Sequence, residues 1–266
     1  MDRRDFIKKT ALAAAGTAIT APVAAMLSAA GIQETDGEGT QQSSPAADEE
    51  AEQTNEKANR KMKVLLINGS PRPDGNTFGA LKEIATQLEK HGVEAEIVQI
   101  GRKAVRSCIA CGACHKKGEC VFNDDLCNDV ARKMAHSDAL VVGSPVYYGQ
   151  PNGGVLSLMQ RLFFSSGRYV QNKPAAAVTV CRRGGATAAF QTLNMMFQMM
   201  NMYVVGSQYW NIAYGMNKGE AKFDSEGMQT MRTLANNMAW LLEKLHDGSP
   251  SAPAREDERH SMNFIR

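Results

Sequence analysis

From residue 61 onward, short apolar runs alternate with stretches whose apolar residues recur at helical spacing, and few folds accommodate that alternation. Residues 63–67 (Lys-Val-Leu-Leu-Ile) form an apolar run with polar borders, whereas 81–91 carry a helical pattern closed by Gly92, which gives a strand, a loop and a helix in that order. Residues 94–100, 139–143, 175–181 and 203–209 read as four further strands, with helices filling the intervals. Strands separated by helices run parallel, are joined by right-handed crossovers and have both faces of their sheet covered. The expectation is an α/β protein, a three-layer doubly wound fold with a five-stranded parallel sheet. In such a sheet, ligands gather at the strand carboxyl ends.

The chain before this pattern is of a different kind. Arg3-Arg4-Asp5-Phe6-Ile7-Lys8 sets paired arginines before an apolar pair and a lysine, the following stretch is rich in Ala, and Ser28-Ala29-Ala30 supplies small residues suited to cleavage. Residues 1–30 therefore read as a twin-arginine export signal cut near Gly31, with an uncleaved membrane anchor as the alternative. The folded part is expected outside the cytoplasm, periplasmic or otherwise extracytoplasmic, touching a membrane only through the signal if that is retained. Twin-arginine export carries folded proteins, so a cofactor inserted before export suits it. Residues 31–60 hold eight acidic and two basic groups and no apolar periodicity, too little to offset chain entropy, and read as a disordered acidic linker. The net charge of the whole chain is +2, so residues 61–266 carry an excess of six basic groups. That suits an anionic cofactor; no Lys/Arg stripe interleaved with aromatics is present, and nucleic acid is not an expected partner. Residues 61–247 have the length of one domain with a sizeable core, followed by a tail at 248–266.

Three loops fall at the strand carboxyl ends. Asn68-Gly69-Ser70-Pro71-Arg72-Pro73-Asp74-Gly75-Asn76-Thr77 offers hydroxyls, an arginine and glycines that let backbone N–H groups approach an anion, so a phosphate is expected there, although Gly-Ser-Pro also makes a plain turn. It is neither the Walker lysine loop nor the three-glycine dinucleotide fingerprint, which argues against a nucleotide hydrolase and a Rossmann dehydrogenase. Gly143-Ser144-Pro145-Val146-Tyr147-Tyr148-Gly149-Gln150-Pro151 places two aromatics on a Pro-bounded loop, able to flank a flat ring. Cys181-Arg182-Arg183-Gly184-Gly185 brings cations and open backbone to the same rim.

The segment 107–122 carries Cys108, Cys111, Cys114 and Cys120, at spacings that let three thiols wrap one corner of an iron-sulfur cubane while a Gly-containing loop delivers the fourth. Disulfides, in an exported chain with six cysteines, and zinc remain the alternatives. Cys181 reads as a small apolar strand residue, Cys127 as a spare thiol at a helix start, His115 as an exposed loop residue, and Asp124-Asp125 as a helix N-terminal cap. The run Met195-Met196-Phe197-Gln198-Met199-Met200-Asn201-Met202 reads as core or subunit contact in preference to a copper site, and Trp210 and Trp240 as packing residues. No side chain is assigned as general acid or base.

Gly69-Ser70-Pro71-Arg72 with Gly75-Asn76-Thr77, then Ser144-Pro145-Val146-Tyr147, Gly184-Gly185 and Tyr209-Trp210-Asn211 resemble the NADPH-dependent FMN reductase-like branch of the flavodoxin superfamily, from about Lys63 to Leu245. The four cysteines followed by Asp124-Asp125, and the ending Met262-Asn263-Phe264-Ile265-Arg266, resemble its iron-sulfur flavoproteins. The resemblance implies a flavodoxin-like fold, with its five strands in the order 2-1-3-4-5, in which Ser70, Arg72, Gly75, Asn76 and Thr77 hold the FMN phosphate. It implies that Pro145, Val146, Tyr147, Tyr148 and Gly149 line the isoalloxazine edge, with Gly184 and Gly185 closing the far side. It further implies that Cys108, Cys111, Cys114 and Cys120 ligate a 4Fe-4S cluster, that NAD(P)H or a redox protein is the partner, and that the chain forms a homo-oligomer, dimer or tetramer. The function expected is an exported FMN-dependent oxidoreductase passing electrons between FMN, the cluster and an unidentified donor or acceptor. The alternatives are a non-catalytic flavin electron carrier and a flavodoxin-like protein with disulfides in place of the cluster.

Overall fold

The computed structural model describes residues 60–246. The expected export signal, the linker up to residue 59 and the tail at 248–266 lie outside the described residues. In chain order the elements are β1 (Lys63–Asn68), α1 (Asn76–Lys90), β2 (Glu94–Gln99), α2 (Cys114–Lys117), α3 (Cys127–Ala135), β3 (Ala139–Tyr147), β4 (Gln150–Pro151), α4 (Gly153–Ser166), β5 (Pro174–Cys181), α5 (Ala186–Met199), β6 (Tyr203–Val204), β7 (Ile212–Tyr214) and α6 (Ser225–Leu245). Strands pair in the order β2-β1-β3-β5-β6, with β7 also on β5. These contacts are all parallel, and β4 alone returns antiparallel on β3.

Strand periodicity of two sends alternate residues to opposite faces, and the core divides accordingly. Val64, Leu66, Val141 and Val178 face α1 and α6, whereas Leu65, Ile67, Leu140 and Val142 face α3, α4 and α5. Each fully buried Leu or Ile of these layers contributes about 1.5–3 kcal/mol. The layers hold the loops at the sheet's carboxyl edge. Among the described residues no helix is long and apolar enough to cross a membrane.

The structure corrects three expectations. Helix α1 begins at Asn76, five residues before the expected start, because Thr77 and Ala80 already belong to the buried stripe continued by Leu81, Ile84, Ala85 and Leu88; Asn76 and Thr77 are first-turn helix residues. The expected strand at 203–209 is broken. After Val205 N–H donates to the Ala175 carbonyl (2.8 Å), the chain leaves the sheet. Ser207 Oγ turns it by donating to Tyr209 O (2.6 Å) and Asn237 Nδ2 pins Gly206 O (2.9 Å). Pairing resumes when Thr179 N–H donates to Asn211 O (3.0 Å), and the Asn211 side-chain amide serves the Ala177 carbonyl (3.1 Å) that a continuous strand would have served. The two halves β6 and β7, with the short β4, make seven strands where five were expected. Trp210 and Trp240 are both at least half exposed and are not core packing residues.

Candidate functional site

The chain leaves β1 at Gly69, where a Cβ would stand 2.8 Å from both the Gly143 carbonyl oxygen and Val155 Cβ. Gly69 N–H donates to that oxygen at 2.7 Å, so only glycine fits this crossing of two strand ends. The loop then shapes itself. Ser70 N–H donates to Asn68 Oδ1 (3.1 Å) and Arg72 N–H donates to Ser70 Oγ (3.1 Å). The Gln99 side chain, arriving from β2, donates to the Ser70 carbonyl and accepts from the Asn68 amide. Of the four helices with 14 residues or more among the described residues, α4 and α6 are capped by Asn152 and Asp224, whereas α1 and α5 follow Gly75 and Gly185 with no side-chain cap. Their first-turn N–H groups have no side-chain cap and, with the helix dipole, suit an anion. Ser70, Gly75 and Thr77 are buried at this cradle and Arg72 is exposed beside it. Asn76 spends its side chain elsewhere: Nδ2 donates to Asn217 O (2.8 Å) and Oδ1 accepts from Ala221 N–H (3.2 Å). What Asn76 offers the cradle is its backbone N–H.

The second loop is a β-hairpin. Tyr148 and Gly149 have φ of 50° and 78°, and the flanking Tyr147 pairs with Gln150, the two-residue turn in which both central residues take the left-handed region. Ser144 is buried behind it, accepting from Asn152 N–H (2.9 Å) and donating to Pro145 O (2.9 Å). Val146 packs on Cys181, Ala186 and Ile212, whereas Tyr147 and Tyr148 stand in solvent. Gly185, at φ 87°, touches this hairpin backbone to backbone, since a Cβ on it would lie 2.8 Å from Gly149 Cα. Gly184, Arg182 and Arg183 are exposed. Tyr209 and Trp210, rings 5.0 Å apart, extend the aromatic rim.

The cysteine segment forms a lobe beside α4. Left-handed Ala110, Gly112 and Gly118 turn the chain sharply around the single turn of α2. The thiols of Cys108, Cys111, Cys114 and Cys120 line one recess of about 20 Å³, walled by Phe122, Phe164 and Arg161, with Cys108 and Cys111 exposed and Cys114 buried. All six cysteines of the described residues are free. Among the described residues no three His, Cys, Asp or Glu side chains are grouped as around a single metal ion. Four thiols are the donor type an iron-sulfur cluster takes, and Ala110 N–H donates to Cys108 Sγ at 3.4 Å. Cys120 is held through its backbone by Asn128, whose Oδ1 accepts from Cys120 N–H (3.0 Å) and whose Nδ2 donates to Cys120 O (2.9 Å). Its sulfur accepts from Arg161 Nε at 3.2 Å.

Of the expected cap, Asp125 accepts from Cys127 N–H (3.1 Å) but its other oxygen pairs with buried Arg161, whereas Asp124 pairs with Arg106 at the surface. Burial pushes the Asp125 carboxyl up, but Arg161 and backbone donors more than offset it and hold it below its ordinary value. Burial pushes the Cys127 thiol up to about 12, so it stays protonated and inert. Cys181 is buried at the end of β5, and His115 is exposed, stacked on Phe164 at 5.3 Å. Sequence reasoning missed Gln99, Asn128 and Arg161. For Arg161 a signal existed: it lies three residues after Leu158 and one before Leu162, within a buried face that is apolar from Val155 to Met159.

A parallel sheet whose strand order reverses between β1 and β3, with an uncapped anion cradle and an aromatic rim at that switch point, defines a flavodoxin-like flavoprotein. The profile of the family described as NADPH-dependent FMN reductase matches residues 62–217. The chain belongs to that family of flavin-dependent oxidoreductases, which bind FMN. It is 33% identical over 190 residues to an iron-sulfur flavoprotein of Methanocaldococcus jannaschii, covering 68% of this chain and 98% of that one. It is 32% identical over 189 residues to the iron-sulfur flavoprotein of Methanosarcina thermophila, covering 68% and 96%. Among solved structures, RosB with a bound riboflavin-phosphate intermediate superposes with a TM-score of 0.58 at 17% identity, covering 77% of this chain and 92% of that one. A flavone reductase superposes at 0.54 and 15% identity, covering 71% and 65%. These two likenesses show the fold.

Proposed function

We propose that this protein is an exported oxidoreductase in which FMN, held at the β1, β3 and β5 loops, exchanges electrons with a 4Fe-4S cluster ligated by Cys108, Cys111, Cys114 and Cys120. The observation that carries this reading is the meeting of four free thiols at one recess on the flank of α4, the helix whose first turn follows the hairpin of the second loop. Arg161 lies eight positions after Gly153, roughly 12 Å along the helix axis. Bound FMN would supply two-electron chemistry toward an organic partner and one-electron chemistry toward the cluster. The chain's own residues would bind and orient. The N–H groups of Asn76 and Thr77, with Ser70 and Arg72, would receive the phosphate; the Pro145–Gly149 hairpin and Gly184-Gly185 would set the ring's edge; the four thiols of the lobe would hold the cluster.

Export rests on Arg3-Arg4 and the Ala-rich stretch after them. A donor other than NAD(P)H, such as a redox protein, fits an extracytoplasmic setting, and Met195 and Met199, both exposed on α5, suit contact with a second copy in a homo-oligomer. Anaerobic purification followed by a visible spectrum and iron and sulfide analysis tests the reading. Flavin absorbance with four irons and four sulfides per chain is expected. Colourless, metal-free protein with its thiols joined as disulfides would overturn it. Turnover with NAD(P)H and quinones, against reduction by protein partners alone, separates an enzyme from a pure carrier.

A further inference from the structure

Arg161 is the largest side chain fully buried in the described residues, 1% exposed, in the middle of α4. Desolvating a guanidinium is expensive, so its partners have to account for it. Every one of them belongs to the cysteine lobe or its hinge. Nη1 pairs with the Asp125 carboxylate, 2% exposed, and donates to Arg106 O at 3.3 Å, two residues before Cys108. Nη2 donates to Phe122 O at 3.3 Å, two residues after Cys120, and the guanidinium lies over the Phe122 ring at 5.5 Å. Nε is aimed at Cys120 Sγ, 3.2 Å away. The lobe's entry, exit and fourth thiol are thus gathered by one planar fork, a task that the single-point ammonium of lysine performs poorly.

The charge count points the same way. Asp125 neutralises Arg161 through Nη1, and the sulfur receives a charge-assisted N–H from a cation that cannot turn away. Hydrogen bonds to ligand sulfurs and nearby charge are what set the potential of a thiolate-held centre. We propose that Arg161 is the positioning residue of the cysteine lobe: it closes the base of segment 106–125, fixes the Cys120 sulfur, and raises the reduction potential of the electron-accepting group the four thiolates hold. The potential part rests on the cluster reading above; the positioning part does not.

The test compares full-length wild type, Arg161→Lys and Arg161→Met, purified anaerobically. In the metal-free proteins, amide hydrogen exchange across residues 107–122 is expected to be at least tenfold faster in Arg161→Met, with β1, β3 and β5 unchanged and Arg161→Lys intermediate. Equal exchange in all three overturns the positioning role, whether or not any cluster binds. After reconstitution with iron and sulfide, the reduced-to-oxidised ratio at fixed potential is expected to fall about tenfold in Arg161→Met, which is about 59 mV for a one-electron couple, and less in Arg161→Lys. Unchanged potentials in loaded variants overturn the electrostatic role. Wild type that takes up no iron or sulfide overturns the cluster reading instead, while the exchange data still decide the positioning role. If Arg161→Met does not fold, as read by its thermal melt, Arg161→Lys decides both parts.

Discussion

Substituting Gly185 by alanine tests how the second and third loops are held together. Two separate costs fall on this residue. Its φ of 87° is strained for any side chain, which costs about 1–2 kcal/mol. Its new Cβ would also lie 2.8 Å from Gly149 Cα and 3.3 Å from Gly149 N and Val146 Cγ1. Ordinary contact begins near 3.4 Å, so the hairpin has to retreat by about 0.6 Å; overpacking of this kind costs about 1–3 kcal/mol. The sum is about 2–5 kcal/mol. Gly92 supplies the control, because it has a similar φ of 74° but a Cβ added there would meet nothing within 4 Å, beyond the end of α1 and away from the loops. Gly92→Ala should therefore cost only the conformational part. Urea unfolding of the flavin-free proteins measures both stabilities, and fluorescence titration with FMN measures the consequence at the site. Gly185→Ala is expected to be the less stable of the two and to bind FMN at least tenfold more weakly, while Gly92→Ala binds it as wild type does. Equal stability and equal FMN affinity in the two variants would refute the claim that the loops touch backbone to backbone.

Asp125→Asn leaves Arg161 buried without its counter-charge and is expected to cost about 3–5 kcal/mol in chemical denaturation. Because the folded Asp125 carboxyl lies below its ordinary value, the wild-type contribution is fully present above the unfolded carboxylate range and is lost as pH falls through the folded value; the stability curve of Asp125→Asn should be flatter in acid. In metal-free native protein at pH 8, iodoacetamide is expected to label Cys108 and Cys111 but not Cys127, whose buried thiol is pushed up to about 12; mass spectrometry showing early labelling of Cys127 would contradict its burial. Asn76→Ala removes two hydrogen bonds that tie Asn217 and Ala221 to the start of α1. It should cost about 1–3 kcal/mol, and limited proteolysis should cut within 215–221 sooner than in wild type.

The strand-helix alternation, the anion loop and the cysteine spacing are all legible in the chain because each is local: periodicity within about ten residues, or a motif whose members lie side by side. β1, β2, β3 and β5 fall where the apolar runs place them. The fifth strand is not legible, because its break depends on Ser207, Asn237 and the Asn211 amide reaching across to Ala177, contacts that no local pattern records. Asn76 reads as a loop ligand but serves as a helix-start staple, since what its side chain meets is a segment some 140 residues away.

The sequence by itself determined the layers of this protein and the chemistry available to it, because hydrophobic period and ligand type are properties of neighbours along the chain. Only the tertiary structure decided that Gly149 and Gly185 abut, that Asn128 grips the backbone of Cys120, and that a mid-helix arginine is buried against a thiol instead of facing water. The physical reason is that burial is a collective outcome. A charge such as Arg161 can be taken out of water only where Asp125, two backbone carbonyls and a sulfur converge on it from segments separate in sequence.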